Sequence, residues 1–433
     1  MRIKRLLSVF TAAVLAFSLT ACTDIASTEQ TVKDFLAGSS SDTQSSADTA
    51  TDAGNSAYSV VTAATVEYKD SDYYEDYKEK DYTTVSMSGN TATVKGENAS
   101  KVTESDGLIT ISGKGYYVLE GNFEGTLVID APEDEKVRLV LNGVTIKGQS
   151  GPAIYEKCSD KLIVMLVEKT VNNLSDGASY EDTSEEAADA CLYATDDLTI
   201  NGEGTLNVTG NYMAGIKTKD DLKIMSGIIN VNAADDGIKG HDSLTVADGV
   251  ITVSAGDDGL HSDGSVVIDN GTVNVVKSVE AVEGLTVTVN NGIVNAVASD
   301  DGFNATDGSG STTTPTIIIN GGEIFVNSNG DGLDANGNIE MNGGYVYVSG
   351  ATNDGNNATD YDGTFIMNGG NLVASGMSGM YQSISSGSSC YVIDYTDQSS
   401  IEAGTEVVLK YGDTVIYSCT VVKKANALLV TGD

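Results

Sequence analysis

From Leu198 onward the chain alternates short apolar runs with turns in a fixed phrase. "LTINGEGTLNV" (Leu198) returns as "LKIMSGIINV" (Leu222), "LTVADGVITV" (Leu244), "VVIDNGTVNV" (Val266), "VTVNNGIVNA" (Val287), "IIINGGEIFV" (Ile317), "IEMNGGYVYV" (Ile339) and "FIMNGGNLVA" (Phe365). Each reads as strand, glycine turn, strand. The turn glycines Gly204, Gly227, Gly249, Gly271 and Gly292 are spaced by 23, 22, 22 and 21 residues. Gly322, Gly344 and Gly370 follow after 30, 22 and 26. No stretch of helical length carries an apolar stripe of 3.6-residue period, so the pattern predicts an all-β chain. A period in the low twenties with two or three strands per repeat predicts a parallel β-helix. Leucine-rich repeats share the period, but the L-x-x-L-x-L signature is missing, and a propeller blade needs about 40 residues. Stacking the repeats at ~4.8 Å lines up equivalent residues along an axis. Ile251, Val253, Val346 and Val348 then point inward, and Thr252, Tyr345 and Tyr347 outward.

The stacking also lines up charge. The turn after the second strand reads "DDGI", "DDGL", "VEAV", "DDGF" and "GDGL". One column is Asp236, Asp258, Glu280, Asp301 and Asp331; the column before it is Asp235, Asp257, Val279, Asp300 and Gly330. An Asp-Gly turn accounts for one aspartate per repeat. It does not account for the doubled one, because carboxylates repeated at rung spacing repel wherever water is partly excluded. Cations between rungs, protonation or splaying into solvent each relieve that repulsion. The outward column that follows is Lys217, Lys239, His261, Glu283, Asn304 and Asp334. Its basic part reads either as a grip on an acidic sugar or as cross-rung ion pairing with the acids. Phe325 and Tyr347 occupy equivalent outward positions, with Tyr345 on the same face; such a cluster either stacks on pyranose rings or simply suits an exposed strand.

Composition narrows the partners. The chain of 433 residues carries a net charge of −38, with 48 glycines and no tryptophan. That charge repels nucleic acid and anionic membrane surfaces and suits multivalent cations. The first residues form a basic, then apolar, leader too short to span a membrane. It ends in Leu19-Thr20-Ala21-Cys22, which resembles the lipobox of bacterial lipoproteins and implies a lipid on Cys22, outside the cell. Membrane contact is expected only through that lipid. Oxygen-only ligands, several per site and extracellular, point to Ca²⁺ rather than Zn²⁺ or Mg²⁺. The expected ligands are Asp235, Asp236, Asp257, Asp258, Glu280, Asp300, Asp301 and Asp331. Cys158, Cys191, Cys390 and Cys419 match no zinc spacing; Cys390 with Cys419 is a possible disulfide, and isolated thiols are the alternative.

Four regions follow: a leader over 1–22, a tether over 23–81, the β-helix over 82–390 and a cap or small β unit over 391–433. Tyr58 to Tyr82 either extends the tether or leads into the fold. The acidic "GASYEDTSEEAADA" reads as a solvated helix or loop.

The order "ATDDLTINGEGTLNV", "GIKTKDDLKI", "ADDGI" resembles a bacterial carbohydrate-binding β-helix family best represented in cellulolytic clostridia, over about residues 82–390. The resemblance implies a right-handed parallel β-helix similar to pectate lyases, calcium between rungs, and binding of cellulose or pectic acid without established catalysis. Val279-Glu280-Ala281 and Gly330-Asp331 depart from the "DDG" pattern. The leading expectation is a lipid-anchored, non-catalytic polysaccharide binder. The alternatives are a calcium-dependent lyase with Lys217 or Lys239 as base, and an adhesin or spacer. Phe325, Tyr345, Tyr347, Lys217, Lys239 and His261 are the expected sugar contacts.

Overall fold

The structure, a computed structural model, describes residues 66–184, 187–308, 310–411 and 414–432. Cys22 and most of the expected tether lie outside them. Within the described residues every regular element is a strand or a single 3₁₀ turn, and no helix is long and apolar enough to cross a membrane.

The chain coils so that each strand pairs in parallel with its equivalent one turn later. A first sheet runs from Val171–Ser175 through Val250–Ser254 to Asn371–Gly376; a second runs from Ile154–Cys158 through Ile238–Gly240 to Thr359–Tyr361; a third runs from Lys161–Leu166 through Ser243–Val246 to Phe365–Met367. Register is set by the aliphatic positions. In the first sheet Ile229, Ile251, Val273, Val294, Ile324, Val346 and Leu372 stack one on the next. In the third, Leu198, Leu222, Leu244, Val266, Val287, Ile317, Ile339 and Phe365 do the same. These side chains are buried in one continuous core, each stabilising the coil by roughly 1.5–3 kcal/mol. A one-residue slip would turn every such side chain outward, so the register is strongly specified. Val346 and Val348 face inward and Tyr345 and Tyr347 outward, as the alternation predicts.

The turn between the third and first sheets needs glycine. At Gly271 φ is +88°, and an added Cβ would lie 2.6 Å from the Gly249 carbonyl oxygen. In the first copy of the phrase the left-handed residue is Gly202 rather than Gly204; the extra Glu203 moves the bend without disturbing the strand that follows.

Residues 66–81 are not tether. Asp72 is wholly buried and accepts from the Lys161 ammonium and from Thr199 Oγ1 at 3.0 Å. Its carbonyl accepts from Asn201 Nδ2 at 2.9 Å, and Lys223 Nζ donates to the Glu67 carbonyl at 2.9 Å. Tyr77 packs with Val118, Val140, Ile163 and Met165. This segment is therefore a strap across the outer side of the third sheet. The acidic insertion is not fully solvated either, and its described residues contain no helix. Tyr180 is buried within it, donates to Asp176 Oδ2 at 2.8 Å and stacks on Tyr212 at 4.4 Å.

At the end of the coil, Ala425–Gly432 runs antiparallel along Asn371–Gly376 and pairs on its other side with Tyr391–Ile401. It covers a strand edge that would otherwise stand open. Ala403–Val422 forms a compact unit of its own, an antiparallel hairpin of Glu406–Tyr411 with Thr414–Thr420. Cys158, Cys191 and Cys419 carry free thiols.

Candidate functional site

The acidic columns lie where the chain turns from the first sheet into the second. Asp236 and Asp258 are buried, Glu280, Asp301 and Asp331 half-buried, and Asp257 and Asp300 exposed. The inner column has a backbone role that the repeat pattern did not disclose. Asp236 Oδ1 accepts from the Asp258 N–H at 3.3 Å, Asp301 Oδ1 from the Asp331 N–H at 2.6 Å, and Asp331 Oδ1 from the Asn357 N–H. Each carboxylate thus satisfies an amide of the next turn that strand pairing leaves over. Asp300 and Asp301 both aim Oδ1 at Gly330, where a Cβ would overlap them. The break in the doubled-aspartate pattern at Gly330 follows from that convergence.

The basic column folds back onto the acids. His261 Nδ1 lies 2.9 Å from Asp258 Oδ2 and 3.5 Å from Asp236 Oδ2; its Nε2 lies 3.3 Å from Asp263 Oδ1. Lys239 Nζ lies 3.6 Å from Asp236 and 3.4 Å from Asp263. Burial alone would lower the imidazole pKa, but hydrogen bonds to the three aspartates outweigh it and push His261 up to about 11. Burial likewise works against the Lys239 ammonium, and the same acids overcome it, raising its pKa. Burial pushes the Asp236 carboxyl up, yet His261 and Lys239 hold it below its ordinary value. Lys217 Nζ sits 2.5 Å from Asp189 Oδ2 of the acidic insertion. Lys217, Lys239 and His261 are thus each set against carboxylates.

Beyond His261 the column continues as Glu283, Asn304 and Asp334; Glu283 still lies 3.7 Å from His261 Nε2, and among the described residues the acids past it have no cation beside them. Burial, then Asp258 and the charges of Glu283 and Asp300, push Glu280 up to about 9. Burial and neighbouring carboxylates push Asp301 and Asp331 to about 6 and Asp334 to about 7.

Among the described residues, three groups have ligand atoms within 4.8 Å of one another: Asp257–Asp258–Glu280, Asp236–Asp258–His261 and Asp197–Asp220–Asp221. In the second, His261 is itself one of the three groups, and its ion pairs with Asp236 and Asp258 already supply positive charge to both carboxylates. In the first, Asp258 Oδ1 is fully buried and accepts no hydrogen bond, beside two further carboxylates; this donor set fits a hard cation. Asp235, Asp300, Asp301 and Asp331 join none of the three groups. The third group lies at the entry to the third sheet. Its signal was present in the recurring "TDDL" and "KDDL", which place Asp197 one turn from Asp221.

Phe325 and Tyr347 are register partners, as are Glu323 and Tyr345. All lie on the outer side of the first sheet, away from the basic column on the second. Earlier turns fill the Phe325 column with an amide ladder: Asn207 donates to Asn173 and Asn230 to Asn207 at 2.9 Å, and Asn295 to Asn274 at 2.8 Å.

Fold and site together define a repetitive parallel-β protein with stacked carboxylates at one corner. The chain belongs to the family of carbohydrate-binding domain-containing proteins, whose model matches residues 105–356 and 263–427. A carbohydrate-binding domain-containing protein from Acetivibrio thermocellus is 34% identical over 143 residues, 32% of this chain and 50% of the relative. The match thus spans about half the length of that curated relative. A solved structure of the polysaccharide lyase-like protein from C. thermocellum, a gadolinium derivative, is similar at 25% identity; the match covers 66% of this chain and 96% of that one, with a TM-score of 0.44.

Proposed function

We propose that this protein is a non-catalytic polysaccharide binder of the bacterial cell surface, lipid-anchored through Cys22, whose coil is stapled by Ca²⁺. The observation that carries the metal reading is the buried, unpartnered Asp258 Oδ1 beside Asp257 and Glu280. Asp257, Asp258 and Glu280 would hold the ion, which supplies the positive charge that His261 supplies one turn earlier. The carbohydrate reading rests on family membership, with cellulose-like and pectic chains as the candidate ligands. For a pectic chain, bound calcium would offset the repulsion expected from a protein of charge −38. A lyase with Lys239 as base is disfavoured, because its ammonium is held charged among Asp236, Asp258 and Asp263 and a general base must be free of its proton.

Dialysis against EDTA tests the metal. The thermal midpoint is expected to fall by several degrees and to recover with Ca²⁺, since an ion at 100 times its Kd stabilises by about 2.7 kcal/mol. Elemental analysis should find calcium, and Glu280→Gln should lower its content. An unchanged midpoint with no calcium overturns the metal reading. A glycan array probed with Ca²⁺ and with EDTA tests the ligand, and silence across β-glucans and pectins overturns the binding reading.

A further inference from the structure

We propose that the groove at the turn between the third and first sheets is the track for a neutral, extended glycan chain, separate from the acidic corner. The inference rests on the carbohydrate-binding reading above and places its site. The groove has a volume of about 580 Å³ and crosses five turns, from Gly249 to Gly344. Four steps of ~4.8 Å make it roughly 19 Å long.

The fold keeps its floor bare. The glycines of these five turns have φ between +85° and +114°. A Cβ on any of them would lie 2.6–2.8 Å from the glycine carbonyl oxygen of the turn before. No side chain can fill the groove without breaking the stacking.

The two lips differ in chemistry. One carries the exposed polar side chains of Asp248, Asn270 and Asn291 on its first three turns, with Asn291 Nδ2 donating to Asn270 Oδ1 at 3.3 Å. The other is the column Val250, Thr272, Ile293, Glu323 and Tyr345, in which Val250 and Ile293, 44% and 39% exposed, and Tyr345 supply apolar surface alternating with the two polar residues. A sugar ring needs this pairing: amide and carboxylate groups for its hydroxyls, apolar surface for its C–H face. Over the first three turns the polar groups recur once per turn, a spacing of the same order as one pyranose unit, so an extended chain along the axis meets them in register there; Gly321 and Gly343 leave the last two turns bare. The lining includes Asp248 and Glu323 and no lysine or arginine. Charge complementarity therefore selects a neutral β-glucan over a polyuronate. The strand Val250–Ser254 separates this groove from the acidic turn at Asp257, so the two sites can be altered independently.

The test is calorimetric titration of the full chain with cellohexaose and with oligogalacturonate, each with Ca²⁺ and with EDTA. The variant is Val250→Glu with Ile293→Glu, both exposed, so the thermal midpoint should hold. Cellohexaose affinity is expected to fall at least about tenfold in this variant and to survive Glu280→Gln. Equal cellohexaose binding by the groove variant and the natural protein overturns the groove while leaving carbohydrate binding intact. Natural protein that binds only oligogalacturonate, or a groove variant that merely changes oligomeric state in light scattering, also overturns it. No binding to any glycan sinks the parent reading as well. Should the double glutamate variant fail to fold, Val250→Ala with Ile293→Ala carries the same expectation in direction.

Discussion

His261 divides the acidic corner into two regimes. Before it, Asp236 and Asp258 share the positive charges of His261 and Lys239; after it, Glu280, Asp301, Asp331 and Asp334 have none among the described residues and hold their protons to higher pH. Removing the imidazole would leave two buried carboxylates with Lys239 alone. His261→Ala is therefore expected to destabilise the protein by about 3 kcal/mol in calcium-free buffer, measured by denaturant unfolding. Added Ca²⁺ should recover part of the loss, because the vacated position joins the Asp257–Asp258–Glu280 donors. A variant as stable as the natural protein would show that the His261 pairs contribute nothing. The repeat spacing alone put Lys217, Lys239 and His261 in one column. Pairing with the acids was one reading of that column, but the partners were not legible, because a side chain's direction depends on what lies near it in the fold: Asp258 for His261, and Asp189 from a distant insertion for Lys217.

Among the elements, the strands were legible and the strap was not. Strands repeat, so every copy reinforces the reading of the others. Residues 66–81 occur once, show no period, and acquire structure only from partners far along the chain: Asp72 meets Lys161 across 89 residues and Thr199 across 127. Burial opposes ionisation of Asp72, and the bonds from Lys161 and the Lys69 amide overcome it. Asp72→Ala would leave the Lys161 ammonium, 1% exposed, with only Asp197 at 3.7 Å. A loss of about 3 kcal/mol is expected, together with faster proteolytic cutting within 66–81, read by mass spectrometry. Unchanged cutting would mean that the strap is held by Tyr77 packing rather than by this ion pair. The amide ladders belong to this scale too. Asn342 donates to Asn320 at 2.9 Å and Asn368 to Asn342 at 2.8 Å, and the recurring "NGG" was their trace in the sequence.

For the whole molecule, the uncompensated acids set the response to pH. Glu280, Asp301, Asp331 and Asp334 titrate at about 9, 6, 6 and 7 in the native state, against about 4 when unfolded. The folded protein then holds more protons than the unfolded chain between pH ~4 and ~9, so stability falls as pH rises through that window. His261 adds in the same direction above pH ~6.5, because its native pKa lies above its unfolded one. In EDTA the thermal midpoint should drop steadily from pH 5 to 8.5, and Ca²⁺ should flatten the slope by replacing the lost protons at Asp257, Asp258 and Glu280. A midpoint that rises with pH, or a slope indifferent to calcium, would contradict this. The amino-acid sequence by itself determined the parallel coil, its register and the location of the acidic corner. Those features follow from a local pattern of apolar, polar and glycine positions that each turn repeats and each neighbour buries in the same way. Only the tertiary structure decided which carboxylates are paired, which are stranded, and where a groove stays open. Those outcomes depend on the singular segments that break the repeat and on backbone atoms approaching too closely for any side chain to enter.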